Sequence, residues 1–131
     1  MSINLNQILM QTKDVAWETF PDKEASLGDV RWKIFAGAAN SKTKGVTFGV
    51  CEVPPGCGMN LHHHQQPEYY YIQEGEGIVY LEEEIIPIEA GSMVYIPSNA
   101  THGIRNTANT IISLIWIFPT DRWNDVKYEV L

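Results

Sequence analysis

Three of the four histidines in this chain are consecutive, His62, His63 and His64, and the fourth is His102. Glu68 follows the cluster after a Gln-Gln-Pro step, and three tyrosines, Tyr69, Tyr70 and Tyr71, come directly after it. Imidazole and carboxylate together are the usual ligand set for a first-row transition metal. In extended backbone, side chains alternate between two faces. If the segment is strand, His62, His64 and Glu68 therefore share one face, and His63 points away. Tyr70 shares the parity of Glu68, which separates it from Tyr69 and Tyr71. The pattern predicts a metal site built on β-structure.

The rest of the chain must supply the frame for such a site. Its 131 residues are long enough for one domain with a real core. A hydrophobic share of 44% and a charged share of 19% argue against disorder. The net charge of −7, without any Lys/Arg cluster, argues against a nucleic-acid partner. The start of the chain lacks the basic, then apolar, signature of an export signal. The longest apolar stretch, 111–118, is far too short to span a bilayer, so no membrane partner is expected. Cys51 and Cys57 form neither a CxxC pair nor a disulfide framework. The expectation is a cytoplasmic protein with two free thiols.

Residues 1–28 read as an N-terminal extension packing on the body of the fold. Asn4 and Gln7 resemble a capping pair, and Leu5, Ile8 and Leu9 repeat at helical spacing, which predicts a short helix. Trp17 and Phe20 are expected to pack on the domain. From residue 29 to 131 the hydrophobic period is two. Strands are expected at 30–35, 46–51, 59–64, 68–73, 77–82, 84–88, 92–96, 101–106 and 110–118, with Gly, Pro and Asn between them. Many short strands at this spacing indicate an all-β sandwich or barrel. Residues 111–118 are apolar on both faces and predict a central strand or one covered by a partner. A last strand is expected at 126–130.

The spacing then becomes specific. Gly56, His62, His64, Glu68 and Gly75 stand in the order and intervals of the first cupin motif, which this segment resembles. Gly91, Pro97, His102 and Asn106 are similar to the second. Asn99 departs from the pattern, standing where that motif usually has glycine; asparagine tolerates left-handed backbone better than most residues. The resemblance implies a double-stranded β-helix, or jelly roll, with one divalent transition metal per subunit held by His62, His64, Glu68 and His102. The metal would be Fe, Mn, Ni, Zn, Co or Cu, since this donor set accepts each of them. Open coordination positions would mark a catalytic site. His63 is expected to be structural or exposed.

A narrower resemblance involves the segment 30–35, the Glu68-Tyr69-Tyr70 step, and the ending 116–123 with Tyr128. These are similar to the small single-cupin dimethylsulfoniopropionate lyases. The resemblance implies Tyr70 as a catalytic base, Tyr128 as a second active-site tyrosine, and a small carboxylate or zwitterion as substrate. A metal holding the substrate carboxylate would acidify the adjacent C–H, and aromatic faces such as Trp32, Trp116 or Tyr128 would suit the sulfonium. For the tryptophans, core packing is the simpler expectation. An Fe-dependent cupin dioxygenase and a non-enzymatic binding cupin are the alternatives. Exposed sheet edges and the two-sided apolar strand favour a homodimer.

Overall fold

The structure, a computed structural model, describes Leu5 and residues 8–131, with backbone only at 23, 25 and 26. Eleven strands make up the domain: β1 Glu18–Thr19, β2 Arg31–Ala36, β3 Thr47–Val53, β4 Gly58–His63, β5 Glu68–Glu74, β6 Glu76–Leu81, β7 Glu84–Glu89, β8 Met93–Ile96, β9 His102–Arg105, β10 Ile112–Phe118 and β11 Glu129–Val130. They form two antiparallel sheets, ordered β1-β2-β3-β10-β5-β8 and β11-β4-β9-β6-β7. This is the all-β architecture that the period-two pattern implied, and the jelly roll that the cupin resemblance implied.

Alternation drives the layering. In β3 and β10 every second residue is fully buried, and β5 buries Glu68, Tyr70 and Ile72 while exposing Tyr69 and Tyr71. β10 lies between β3 and β5, so the strand that read as apolar on both faces is central. Its inward residues Ile112, Leu114, Trp116 and Phe118 meet Val79 and Ile104 of the facing sheet in one core. Gly75 turns the chain from β5 in one sheet to β6 in the other at φ +89°, where a Cβ would lie 2.5 Å from the Ile111 carbonyl oxygen, so only glycine fits this corner.

The N-terminal region departs from expectation. Among the described residues there is no α-helix, only 3-10 turns at Thr12–Asp14, Asp22–Leu27 and Trp123–Asp125, and a single turn in which the Leu9 N–H donates to the Leu5 carbonyl at 2.9 Å. Asn4 and Gln7, the expected capping pair, lie outside the described residues. Leu5, Ile8 and Leu9 are exposed. A helix this short needs an apolar face packed on the body of the protein, and these residues have none. Residues 12–28 are anchored instead. β1 pairs with β2, the Arg31 guanidinium lies 4.0 Å over the Trp17 ring, and Lys33 Nζ donates to the Thr12 carbonyl at 2.7 Å. Phe20 packs on Trp32 at 4.6 Å between centroids. At the other end, the strand expected at 126–130 contracts to Glu129–Val130 beside β4, which leaves Tyr128 in a loop.

Candidate metal centre

His62 and His102 are cross-strand neighbours on β4 and β9, and His64 follows just after β4. Glu68 opens β5 in the opposite sheet. A bulge in β4 aims the first of these. Met59 pairs with Ile104, and the next pair is His62 with His102, so three steps on β4 answer two on β9. The extra residue shifts the alternation, so Met59 packs against the core and His62 also faces inward. Asn99 has the left-handed backbone expected of it, with φ 61°, and its N–H donates to the His64 carbonyl at 2.9 Å.

All three inward histidines are held the same way. His62 Nδ1 lies 2.6 Å from the Asn60 carbonyl, His64 Nδ1 2.8 Å from that of Gln66, and His102 Nδ1 2.8 Å from that of Ala100. A carbonyl only accepts, so each Nδ1 carries the proton and, in a neutral ring, each Nε2 presents its lone pair. The three Nε2 atoms are buried without a hydrogen-bond partner among the described residues, and the ligand atoms of the three rings lie within 4.8 Å of one another. Glu68 Oε1 adds a carboxylate oxygen 3.2 Å from His64 Nε2 and 3.4 Å from His102 Nε2, within ion-pair reach but outside hydrogen-bond geometry. Buried polar atoms are otherwise nearly always satisfied. Three converging lone pairs beside a carboxylate fit a divalent transition metal, and the backbone carbonyls supply the outer support that orients histidine ligands.

The electrostatics agree. Burial, and then the neighbouring His102, lower the His62 pKa to about 4, which keeps that ring neutral. Burial acts downward on His64 too, but the adjacent Glu68 carboxylate outweighs it and raises the imidazole. Burial alone would raise Glu68, yet His102 and His64 together hold it below the ordinary carboxylate value.

Tyr70 and Tyr128 share this chamber. A cavity of about 30 Å³ is lined by Glu68, Tyr70, Trp116, Trp123 and Tyr128, with Trp32 and Cys51. The Tyr128 ring centroid lies 5.3 Å from that of His62 and 5.4 Å from that of His64. Burial, then the Glu68 charge, push both phenols well above their ordinary value. A cation bound to the histidines acts in the opposite sense. His63 sits apart, half-buried, 3.2 Å from the Glu129 carboxylate.

Trp32 and Trp116 are core residues, as expected, yet both also face the chamber. Two wall residues, Cys51 and Trp123, were not anticipated there, nor was Phe20 behind Trp32. Cys51 was legible, because it shares inward parity with Val53 on β3. Phe20 and Trp123 carry no periodic signal; they arrive from the terminal segments. Phe20, Trp32, Trp123 and Tyr128 close into a ring of contacts, with successive centroid distances of 4.6, 5.6, 6.0 and 6.1 Å. Outside this ring lies a second cavity of about 640 Å³ between the two termini. Cys51 and Cys57 are both free thiols.

Comparison with known proteins places these features. Residues 49–118 match the family described as the cupin domain. The chain is 34% identical over 80 residues to a dimethylsulfoniopropionate lyase, DddW, of Ruegeria pomeroyi, covering 61% of this chain and 53% of the relative. The chain thus matches about half the length of that relative. It is 27% identical over 109 residues to an oxalate-binding protein of Thermotoga maritima, covering 82% of this chain and 90% of the relative. The solved structure of the polyketide cyclase RemF from Streptomyces resistomycificus superposes with a TM-score of 0.78, covering 94% of this chain and 84% of that one. At 15% identity that likeness is one of fold.

Proposed function

The chain belongs to the cupin domain family, and on that premise we propose that it is a metal-dependent lyase releasing dimethyl sulfide from dimethylsulfoniopropionate. The observation that carries the reading is the placement of Tyr70 on the strand face of Glu68, in a cavity it shares with Glu68, which reaches His64 and His102, and with Tyr128, which lies against His62 and His64. The 34% identity to a lyase of that substrate supports it.

His62, His64, His102 and Glu68 would hold one divalent transition metal, which when bound would draw charge from the substrate carboxylate and acidify the neighbouring C–H. The protein residues perform the rest. Tyr70 Oη, as phenolate, takes the proton from the carbon next to the carboxylate. The C–H electron pair becomes the new double bond, the carbon–sulfur bond breaks, and its pair leaves on sulfur as neutral dimethyl sulfide. Acrylate remains and Tyr70 is protonated. Tyr128, lying against His62 and His64, closes the chamber to water and positions the substrate against Tyr70.

The protein acts as a homodimer in this reading. The outer face of the six-stranded sheet supports that, since Tyr69, Tyr71, Met93 and Tyr95 are exposed side by side on β5 and β8, with Ile115 and Ile117 of β10 beside them. Its edge strand β8 is the outermost of that sheet.

A sealed assay under argon tests the function. Metal-loaded protein given dimethylsulfoniopropionate is expected to release dimethyl sulfide and acrylate in equal amounts without oxygen. Turnover that requires and consumes oxygen would replace the lyase with a cupin dioxygenase.

A further inference from the structure

Trp32 holds a donor with no partner among the described residues: it is 6% exposed, and its indole Nε1 is buried without an acceptor there. Its neighbours are ring faces: Phe20 at 4.6 Å and Trp123 at 5.6 Å between centroids. A buried N–H left unpaired costs free energy and is uncommon in folded proteins.

Its location explains what it is for. Trp32, Trp123 and Tyr128 line both the 30 Å³ chamber beside Glu68 and the 640 Å³ outer cavity. They are the partition between the two. The chamber has room for a water or two. Anything larger must part Trp123 and Tyr128, which belong to the C-terminal segment, from Trp32, which is fixed in β2. That movement uncovers the indole N–H as the incoming molecule passes. Lys127 is the one cation among the described residues lining the outer cavity, where Glu18 and Glu24 also sit.

We propose that Trp32 is an oxyanion-binding subsite: its Nε1–H donates to a carboxylate oxygen of a small organic acid or zwitterion once the partition opens. Lys127 attracts that carboxylate into the outer cavity, and Glu18 favours a cationic group at the other end of the molecule. The choice of a carboxylate as ligand rests on the lyase reading; the unpaired donor does not.

The test uses metal-free full-length protein and propionate as probe, followed by indole ¹H–¹⁵N resonances. The Trp32 resonance, identified by its absence in Trp32→Phe, is expected to move downfield saturably. Trp32→Phe is expected to weaken propionate at least about tenfold, the loss typical of one hydrogen bond to a charged acceptor. Tetramethylammonium, which has no acceptor, should leave the resonance in place. An absence of saturable propionate binding, an unmoved Trp32 indole at saturation, or equal affinity in Trp32→Phe would overturn the proposal. If Trp32→Phe does not fold, the wild-type resonance, assigned through its contacts to Phe20 and Trp123, decides alone. Lost dimethyl sulfide release with the shift intact removes the lyase and keeps the subsite; turnover with an unmoved indole does the reverse.

Discussion

Tyr70→Phe separates chemistry from structure more cleanly than any other single change here. Tyr70 is 4% exposed and is flanked across the sheet by Val94 and Trp116. Phenylalanine keeps the ring and every apolar contact it makes. Among the described residues nothing hydrogen-bonds the Tyr70 hydroxyl, so its loss orphans no partner and should change stability by less than about 1 kcal/mol. Catalysis is another matter. A positioned general base contributes roughly 10²- to 10⁴-fold, or about 2.7–5.5 kcal/mol of barrier. We therefore expect Tyr70→Phe to release dimethyl sulfide at least about a hundredfold more slowly, with unchanged metal content and a near wild-type melting temperature. Headspace gas chromatography, elemental analysis and a thermal melt read the three quantities on one preparation. Turnover within about tenfold of wild type at equal metal occupancy would refute the base assignment and shift the search to Tyr128.

Metal loading should stabilise the fold: at a free concentration one hundred times the dissociation constant, binding contributes about 2.7 kcal/mol. His102→Ala should abolish that rise in melting temperature, and an equal rise in the variant would exclude His102 as a ligand. The metal-free protein should also lose stability on acidification. Its His62 has a pKa lowered from 6.5 to about 4. Between those values the unfolded chain takes up a proton that folded His62 refuses, at up to about 1.4 kcal/mol per pH unit. His64, raised by Glu68, runs the other way: its contribution is full at low pH and is lost as pH rises through its folded value. Urea melts at stepped pH should show a flatter acid limb in His62→Asn, and parallel limbs would contradict the assignment. Finally, lysine at both Tyr71 and Tyr95 should convert a dimer to a monomer by light scattering without loss of folding; a monomeric wild type sinks the interface.

β2 to β10 and their order along the chain were readable from period-two patterns punctuated by Gly, Pro or Asn, whereas the two-residue β1 was not expected. The histidines and Glu68 stood out by residue type and spacing, although strand parity does not carry from His64, just past β4, to Glu68 in the opposite sheet. What was hidden depends on packing between distant segments. The bulge before His62 leaves no mark in the residue pattern, though it decides which way that imidazole faces. Trp123 reaches the chamber, and Phe20 the back of Trp32, from irregular segments, where alternation gives no guidance. The expected N-terminal helix is not confirmed: Asn4 and Gln7 lie outside the described residues, and Leu5, Ile8 and Leu9 are exposed. Tyr128 was expected in a strand but lies in a loop, against His62 and His64 rather than in a ladder.

The Nδ1 atoms of all three inward histidines bond to main-chain carbonyls, and main-chain oxygen survives every substitution that preserves the local trace. No carboxylate or amide side chain is needed to hold the rings. The donor atoms are thus insulated from drift in the surrounding sequence. Chamber residues such as Tyr70, Cys51, Trp116 or Tyr128 can be exchanged while the triad keeps its tautomers and aim. The aim of the three Nε2 atoms is thus set by the backbone, a property of value wherever the residues around them are to be redesigned.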